Sequence, residues 1–190
     1  MWYDFFGSIN TVFIFVSLYG VFLQLKTIWI RKKTHQEKVT NILSQNQFMM
    51  SFFAYFSFFV YGYSLNAFNH YIVWPRLIAS ILVGFILYEM WRDRKSQISL
   101  NCFLIAVIAF LLGLLGLTLN ESYSVESKNM STIFIVIITV MLAQGYFHQI
   151  KLIIQSGKTG AIDIRMSQFI LMMDVSTIAF ALTFENLQGW

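Results

Sequence analysis

Gly20-Val21-Phe22-Leu23-Gln24-Leu25-Lys26-Thr27-Ile28, running on to Lys33-Thr34, returns later in the chain as Gly145-Tyr146-Phe147-His148-Gln149-Ile150-Lys151-Leu152-Ile153, running on to Lys158-Thr159. Gly, Phe, Gln, Lys, Ile, Lys and Thr recur at a single offset of 125. In the loop that follows, the offset slips to 123, where Ser44-Gln45 meets Ser167-Gln168 and Met49-Met50 meets Met172-Met173. Matches this short carry little singly. In one order, over two apolar segments and a loop, they mark an internal repeat, and a repeat decides the architecture.

What repeats is built for lipid. The chain is 57% hydrophobic and only 12% charged, with a mean hydropathy of +0.65, whereas soluble domains are about 45–50% apolar and about 25% charged. A spanning helix needs about 20 mostly apolar residues. Six stretches qualify, at residues 5–25, 45–69, 71–88, 98–120, 130–150 and 166–184. The fold class expected is therefore all-α, a polytopic membrane helical bundle. Connections are short, and no linker or second domain interrupts them. Met1-Trp2-Tyr3-Asp4 offers no basic leader, so the first apolar run reads as a retained helix and not a cleaved signal peptide. The single cysteine, Cys102, excludes a disulfide framework or a cysteine metal site within one chain.

Charge placement sets the expected topology. Eleven of the thirteen Lys and Arg fall after helices one and three and around the loop between helices five and six. The other side keeps Arg76 and Lys128 beside Asp4, Glu121, Glu126 and Glu185. The positive-inside rule puts the basic loops in the cytoplasm and the N-terminus outside; the membrane expected is a bacterial inner membrane. The run Arg31-Lys32-Lys33 is then a topology-setting loop and no nucleic-acid site.

Helices one and two correspond to helices five and six, entering with the same orientation, so the repeat is parallel. Residues 1–95 form a first three-helix repeat, 96–125 a linker helix that inverts the chain, and 126–190 a second repeat of two helices. A counterpart of helix three is expected after Trp190.

These residues resemble the PQ-loop superfamily, which includes the SWEET and SemiSWEET sugar transporters and cystinosin-like amino-acid exporters. Leu23-Gln24 and His148-Gln149 stand at the family's Pro-Gln pair, Lys33-Thr34 and Lys158-Thr159-Gly160 at its Lys-Ser element, and Pro75-Arg76-Leu77-Ile78-Ala79-Ser80 with Gly84 at its Pro-Leu-Ile-Ile-Ala-Asn. Both motif prolines are replaced, leaving Gly20 and Gly145 as the nearest sources of helix flexibility. The resemblance implies a seven-helix transporter, puts Ser80 where sugar transporters carry a pocket asparagine, and puts Phe58 near their pocket tryptophan.

Intramembrane polar residues are few and costly. Asp174, mid-helix, is read as a proton-coupling or cation-binding carboxylate at the axis between the halves, with no Lys or Arg expected at its depth; a neutral Asp in a helix contact is the blander account. Its repeat partner is Ser51. Gln24 and Gln149 either cap frayed backbone at two hinges and exchange partners as a gate opens, or act as static interhelical links worth about 0.6–2 kcal/mol each. His148, beside Gln149 near the cytoplasmic surface, is either part of that gate or simply interfacial. Asn10 and Ser80 either line a cavity or bridge helices. Of the aromatic run from Phe52 to Phe59, one or two rings are candidates to stack on substrate. Trp2, Trp29, Trp74, Trp91 and Trp190 fall at helix ends as interfacial anchors, and Glu89 is expected to pair with Arg92 or to snorkel.

No phosphate loop, metal spacing or catalytic triad occurs, so no enzyme activity, metal or cofactor is expected. The function expected is alternating-access transport of a small polar solute, a sugar, amino acid or nucleoside, with proton coupling as an option. The partners are the lipid bilayer, the small-molecule substrate, protons and a second copy in a homo-oligomer, with no nucleic acid. A receptor or scaffold on the same fold, as in the KDEL receptor, is the alternative. A pocket open on one side only would mark it.

Overall fold

A computed structural model describes residues 2–34, 38–64, 70–119 and 125–182. The described residues form six helices: α1 Trp2–Thr34, α2 Gln45–Ser64, α3 His70–Arg94, α4 Gln97–Leu119, α5 Val125–Ser156 and α6 Ile164–Ala181. Side-chain chemistry explains their ends. Ser44 caps α2, its Oγ accepting the Gln47 N–H at 3.2 Å, and Asp163 caps α6, its Oδ1 accepting the Arg165 N–H at 3.0 Å. Past α5, Gly157 takes a φ of +61°, the left-handed turn that a glycine adopts without strain.

Among the described residues, four helices contain segments long and apolar enough to cross a membrane: Phe5–Thr34, Val73–Arg94, Gln97–Thr118 and Ile137–Ser156. These make the chain compatible with a multi-pass membrane protein. Six such spans were expected from the sequence. α2 falls short because Gln45, Asn46, Gln47, Ser51 and Ser57 dilute it, and the fully described part of α6, residues 164–179, is shorter than such a span. Those polar residues sit where neighbours can receive them. On α2, Gln47, Ser51 and Ser57 are buried, and the helix packs against α3, α5 and α4.

α3 lies against both α1 and α2, α1 pairs with α6, α2 pairs with α5, and α4 covers one flank of α2 and α3. The core is apolar: Val21, Leu25 and Ile28 of α1 meet Phe48 and Phe52 of α2 and Val83, Ile86, Leu87 and Met90 of α3. α4 turns Ile98, Ile108, Leu112 and Leu115 outward, exposed by 56–72%. A face this apolar needs hydrocarbon against it.

At one end of the bundle the loops interlock. Lys32 of α1 pairs with Glu89 of α3 at 2.7 Å, which also accepts the Trp29 indole N–H at 3.2 Å. Arg92, the partner expected for Glu89, lies farther away at 3.7 Å. Asp93 accepts the Thr40 backbone N–H at 2.8 Å and its hydroxyl at 2.7 Å. Arg94 donates to the Thr40 and Leu43 carbonyls. With the α5–α6 loop joined to α1 as described below, the three connections that carry most of the Lys and Arg meet at this end.

Candidate functional site

The two repeated glutamines are buried, and each ties its helix to the other half of the chain. Gln24 of α1 donates to the Ala161 carbonyl at 2.7 Å and accepts the Asp163 N–H at 2.7 Å. Gln149 of α5 donates to the Ile42 carbonyl at 2.9 Å and accepts the Ser44 N–H. Each amide thus satisfies a carbonyl and an N–H two residues apart, in the loop that leads into α6 or α2. The glycines four residues earlier behave alike. A Cβ on Gly20 would lie 3.1 Å from Met166 Cα, and one on Gly145 would lie 2.9 Å from Gln47 Cα. In this structure both glycines mark close helix crossings. By these contacts Ser44 is matched by Asp163, and Gln47 by Met166. The register expected from the sequence, with Ser44 against Ser167 and Met49 against Met172, is displaced by one helical turn. Carried along the helices, the observed register sets Tyr55, not Ser51, against Asp174.

Between α5 and α6 opens a cavity of about 400 Å³. Gln24, Gln47, Gln149 and Ser167 contribute its polar lining near the loops, and Tyr146 and Asp174 line it further along the helices. Phe48, Ile150, Ile153, Met166, Ile170 and Leu171 make the rest of its wall apolar. Asp174 accepts no hydrogen bond from any described residue and presents its side chain openly.

Arg76 stands behind it. Its guanidinium lies over the rings of Tyr55 and Phe58, 5.6 and 5.2 Å from their centroids. Its Nη1 reaches Met173 Sδ at 3.8 Å, and the Ser17 hydroxyl donates to the same sulfur at 3.2 Å. Among the described residues Arg76 makes no ion pair within 4 Å. It acts electrostatically on Asp174. Tyr146 faces Ser51, whose buried Oγ has no hydrogen-bond partner of ordinary geometry.

This arrangement corrects the expectation that no Lys or Arg lies at the depth of Asp174. The sequence puts Arg76 near the start of an apolar run and so at the interface. α3 begins at His70, which sets Arg76 more than a turn inside, and the long side chain continues inward to α2 and α6. The ring of Phe58, a candidate for stacking on substrate, carries the Arg76 guanidinium. Ser80 is fully buried and donates to the Arg76 carbonyl at 2.8 Å, away from the cavity wall. Asn10 accepts from Ser176 at 3.0 Å and Thr177 at 2.9 Å, so it bridges α1 and α6. His148, exposed, meets the Ser44 hydroxyl through Nδ1 at 2.9 Å. Trp91 stacks on Phe103 and Trp74 donates to His70 at 3.0 Å. The side chain of Trp2 and the whole of Trp190 lie outside the described residues.

Asp163 went unnoticed in the sequence. It accepts Thr27 Oγ1 at 2.9 Å from α1 and two Arg165 nitrogens at 3.0 and 2.8 Å. The Arg165 hydrogen bonds first, and that of Thr27 after them, hold its carboxyl below the usual carboxylate range. An Asp directly ahead of an apolar run is a helix-start signal that could have marked it. No family model, curated protein or solved structure matches this chain.

Proposed function

We propose that this chain is a membrane carrier of the PQ-loop kind, moving a small polar solute by alternating access between two parallel repeats, with protons as the coupling ion. The observation that carries the proposal is the placement of Asp174: an ionisable group within a helix, on the wall of a cavity between α5 and α6, near a guanidinium that does not neutralise it by contact. Ionisable groups at membrane depth are expensive and mark solute or ion pathways. The matched bonds of Gln24 and Gln149 support the repeat reading, since each repeat reaches the other through the same amide. In alternating access those four hydrogen bonds would close the basic end and break when it opens. Each is modest, about 0.5–1.5 kcal/mol net, so solute binding is large enough to shift such a balance.

One feature favours the receptor alternative. The cavity runs from the loop-end glutamines to Asp174, which fits a pocket open on one side as well as one state of a carrier. Counterflow separates the two readings. Proteoliposomes loaded with a mixture of unlabelled sugars, amino acids, nucleosides and organic acids should accumulate a labelled member of one class. Binding of a solute in detergent with no counterflow of it would establish a receptor.

A further inference from the structure

We propose that the groove between α5 and α6 is the docking site of a membrane-spanning helix from a separate polypeptide, one that brings a Lys or Arg to Asp174. This goes beyond the carrier reading and does not depend on transport, since a receptor would need the same wall. In a carrier, that cation and a proton would compete for one carboxylate.

The two halves differ in what covers them. In the first, α3 lies against both α1 and α2, and the core there is sealed: Leu25 is 1% exposed and Phe52 2%. The pairing of Gln24 with Gln149 and of Ser44 with Asp163 makes Ile150 and Leu171 their counterparts, and these are exposed by 54% and 63%. Tyr55, also buried, is matched by Asp174, which is exposed. α5 is held by α2 and α6 by α1, and no described helix bridges the pair as α3 bridges α1 and α2. Ile150, Leu171 and Asp174 all line the cavity of about 400 Å³. The groove is therefore the place that α3 fills in the first half.

Lipid suits the apolar rim of this groove and does not suit Asp174. That residue stands ten positions past Ile164, the start of α6, which at 1.5 Å per residue is about 15 Å along the helix. Hydrocarbon about 30 Å thick has its middle there. Among the described residues Asp174 has no ion pair within 4 Å. Carboxylates at such depth are costly and are ordinarily paired.

The first half also indicates what should face it. There α3 lays the Arg76 guanidinium over the Tyr55 ring, 5.6 Å from its centroid. A helix seated on α5 and α6 in the same register carries its own residue to the counterpart of Tyr55. With a carboxylate there in place of a ring, the complement is again a cation, and a charge-assisted hydrogen bond replaces the cation–π contact. A second copy of this chain is the wrong source. Its Arg76 is engaged by its own Tyr55 and Phe58, and α4, whose Ile108 and Leu112 point outward, contains no Lys or Arg.

The test uses the whole chain in proteoliposomes, with Cys102 replaced by Ser and a donor fluorophore on Lys158→Cys. The probes are three synthetic Leu-Ala spanning helices that carry an acceptor at one end and differ at one central residue: Arg, Leu or Glu. Energy transfer against peptide density gives the association. The Arg helix should associate about tenfold more tightly than the Leu helix, as for a charge-assisted bond, and the Glu helix least. Asp174→Asn should erase the advantage of Arg over Leu. Leu171→Trp, which puts bulk into the groove, should weaken association of the Arg helix, whereas Ile108→Trp on the outward face of α4 should leave it unchanged. Equal association of the three helices overturns the proposal, as does a preference for Arg that survives Asp174→Asn, or equal losses from Leu171→Trp and Ile108→Trp. Ready disulfide formation between copies through Leu171→Cys would give the groove to a second copy and overturn the separate partner.

Discussion

Asp163 does two things with one carboxylate: it caps α6 and holds Thr27 of α1. Asp163→Ala should destabilise the protein by about 1–2 kcal/mol, the worth of a lost cap together with an orphaned hydroxyl, measured as thermal unfolding in detergent. The bond to Arg165, whose side chain is 60% exposed, adds little. The pH dependence follows from the depressed carboxyl. Its folded value lies below the unfolded one of about 3.9. The stability it contributes is therefore complete at neutral pH and is lost only as acid carries the protein through the folded value. An unfolding temperature that dropped more between pH 7 and 5 in the wild type than in Asp163→Ala would contradict this. At this scale the sequence was unevenly legible. Asp174 and the two glutamines stood out because polar groups are rare in apolar runs. Arg76 did not, because the depth of a side chain depends on where its helix begins and which way it runs, and neither is written in composition.

Helix positions were legible because lipid demands long apolar runs, and all six helices formed near the expected positions, though α1 and α5 run well past the apolar stretches that marked them. The polar content of α2 was harder to weigh, since what it costs depends on neighbours that only packing supplies. The register of the second helix in each half was displaced because Met-Met and Ser-Gln pairs are cheap coincidences, whereas caps and close crossings fix how helices meet. Those crossings make a prediction. Gly145→Leu places a Cβ under 3 Å from the α2 backbone and should cost about 1–3 kcal/mol by forcing α5 away from α2. Gly84→Ala, with nothing within 4 Å of its new Cβ, should instead gain about 0.5–1 kcal/mol as a helix-interior replacement. Equal unfolding temperatures for the two variants would show that α5 and α2 do not pack this way.

Across the whole molecule, the basic connections gather at one end, and the charge rule puts that end in the cytoplasm. Single cysteines at positions 33, 94 and 158, in a background lacking Cys102, should resist an impermeant maleimide added to intact cells, while one placed between positions 121 and 128 should react. Labelling of position 33 from outside would invert the topology. The central claim is that the two halves part and close where Gln24 and Gln149 tie them together, and a crosslink at the basic end tests it most directly. Thr27 and Asp163 are joined across the halves at 2.9 Å, so Thr27→Cys with Asp163→Cys, again without Cys102, can form a disulfide there. Counterflow in proteoliposomes should stop when that bond is oxidised and return when it is reduced; a crosslinked chain that exchanges solute as fast as its reduced form would contradict the account.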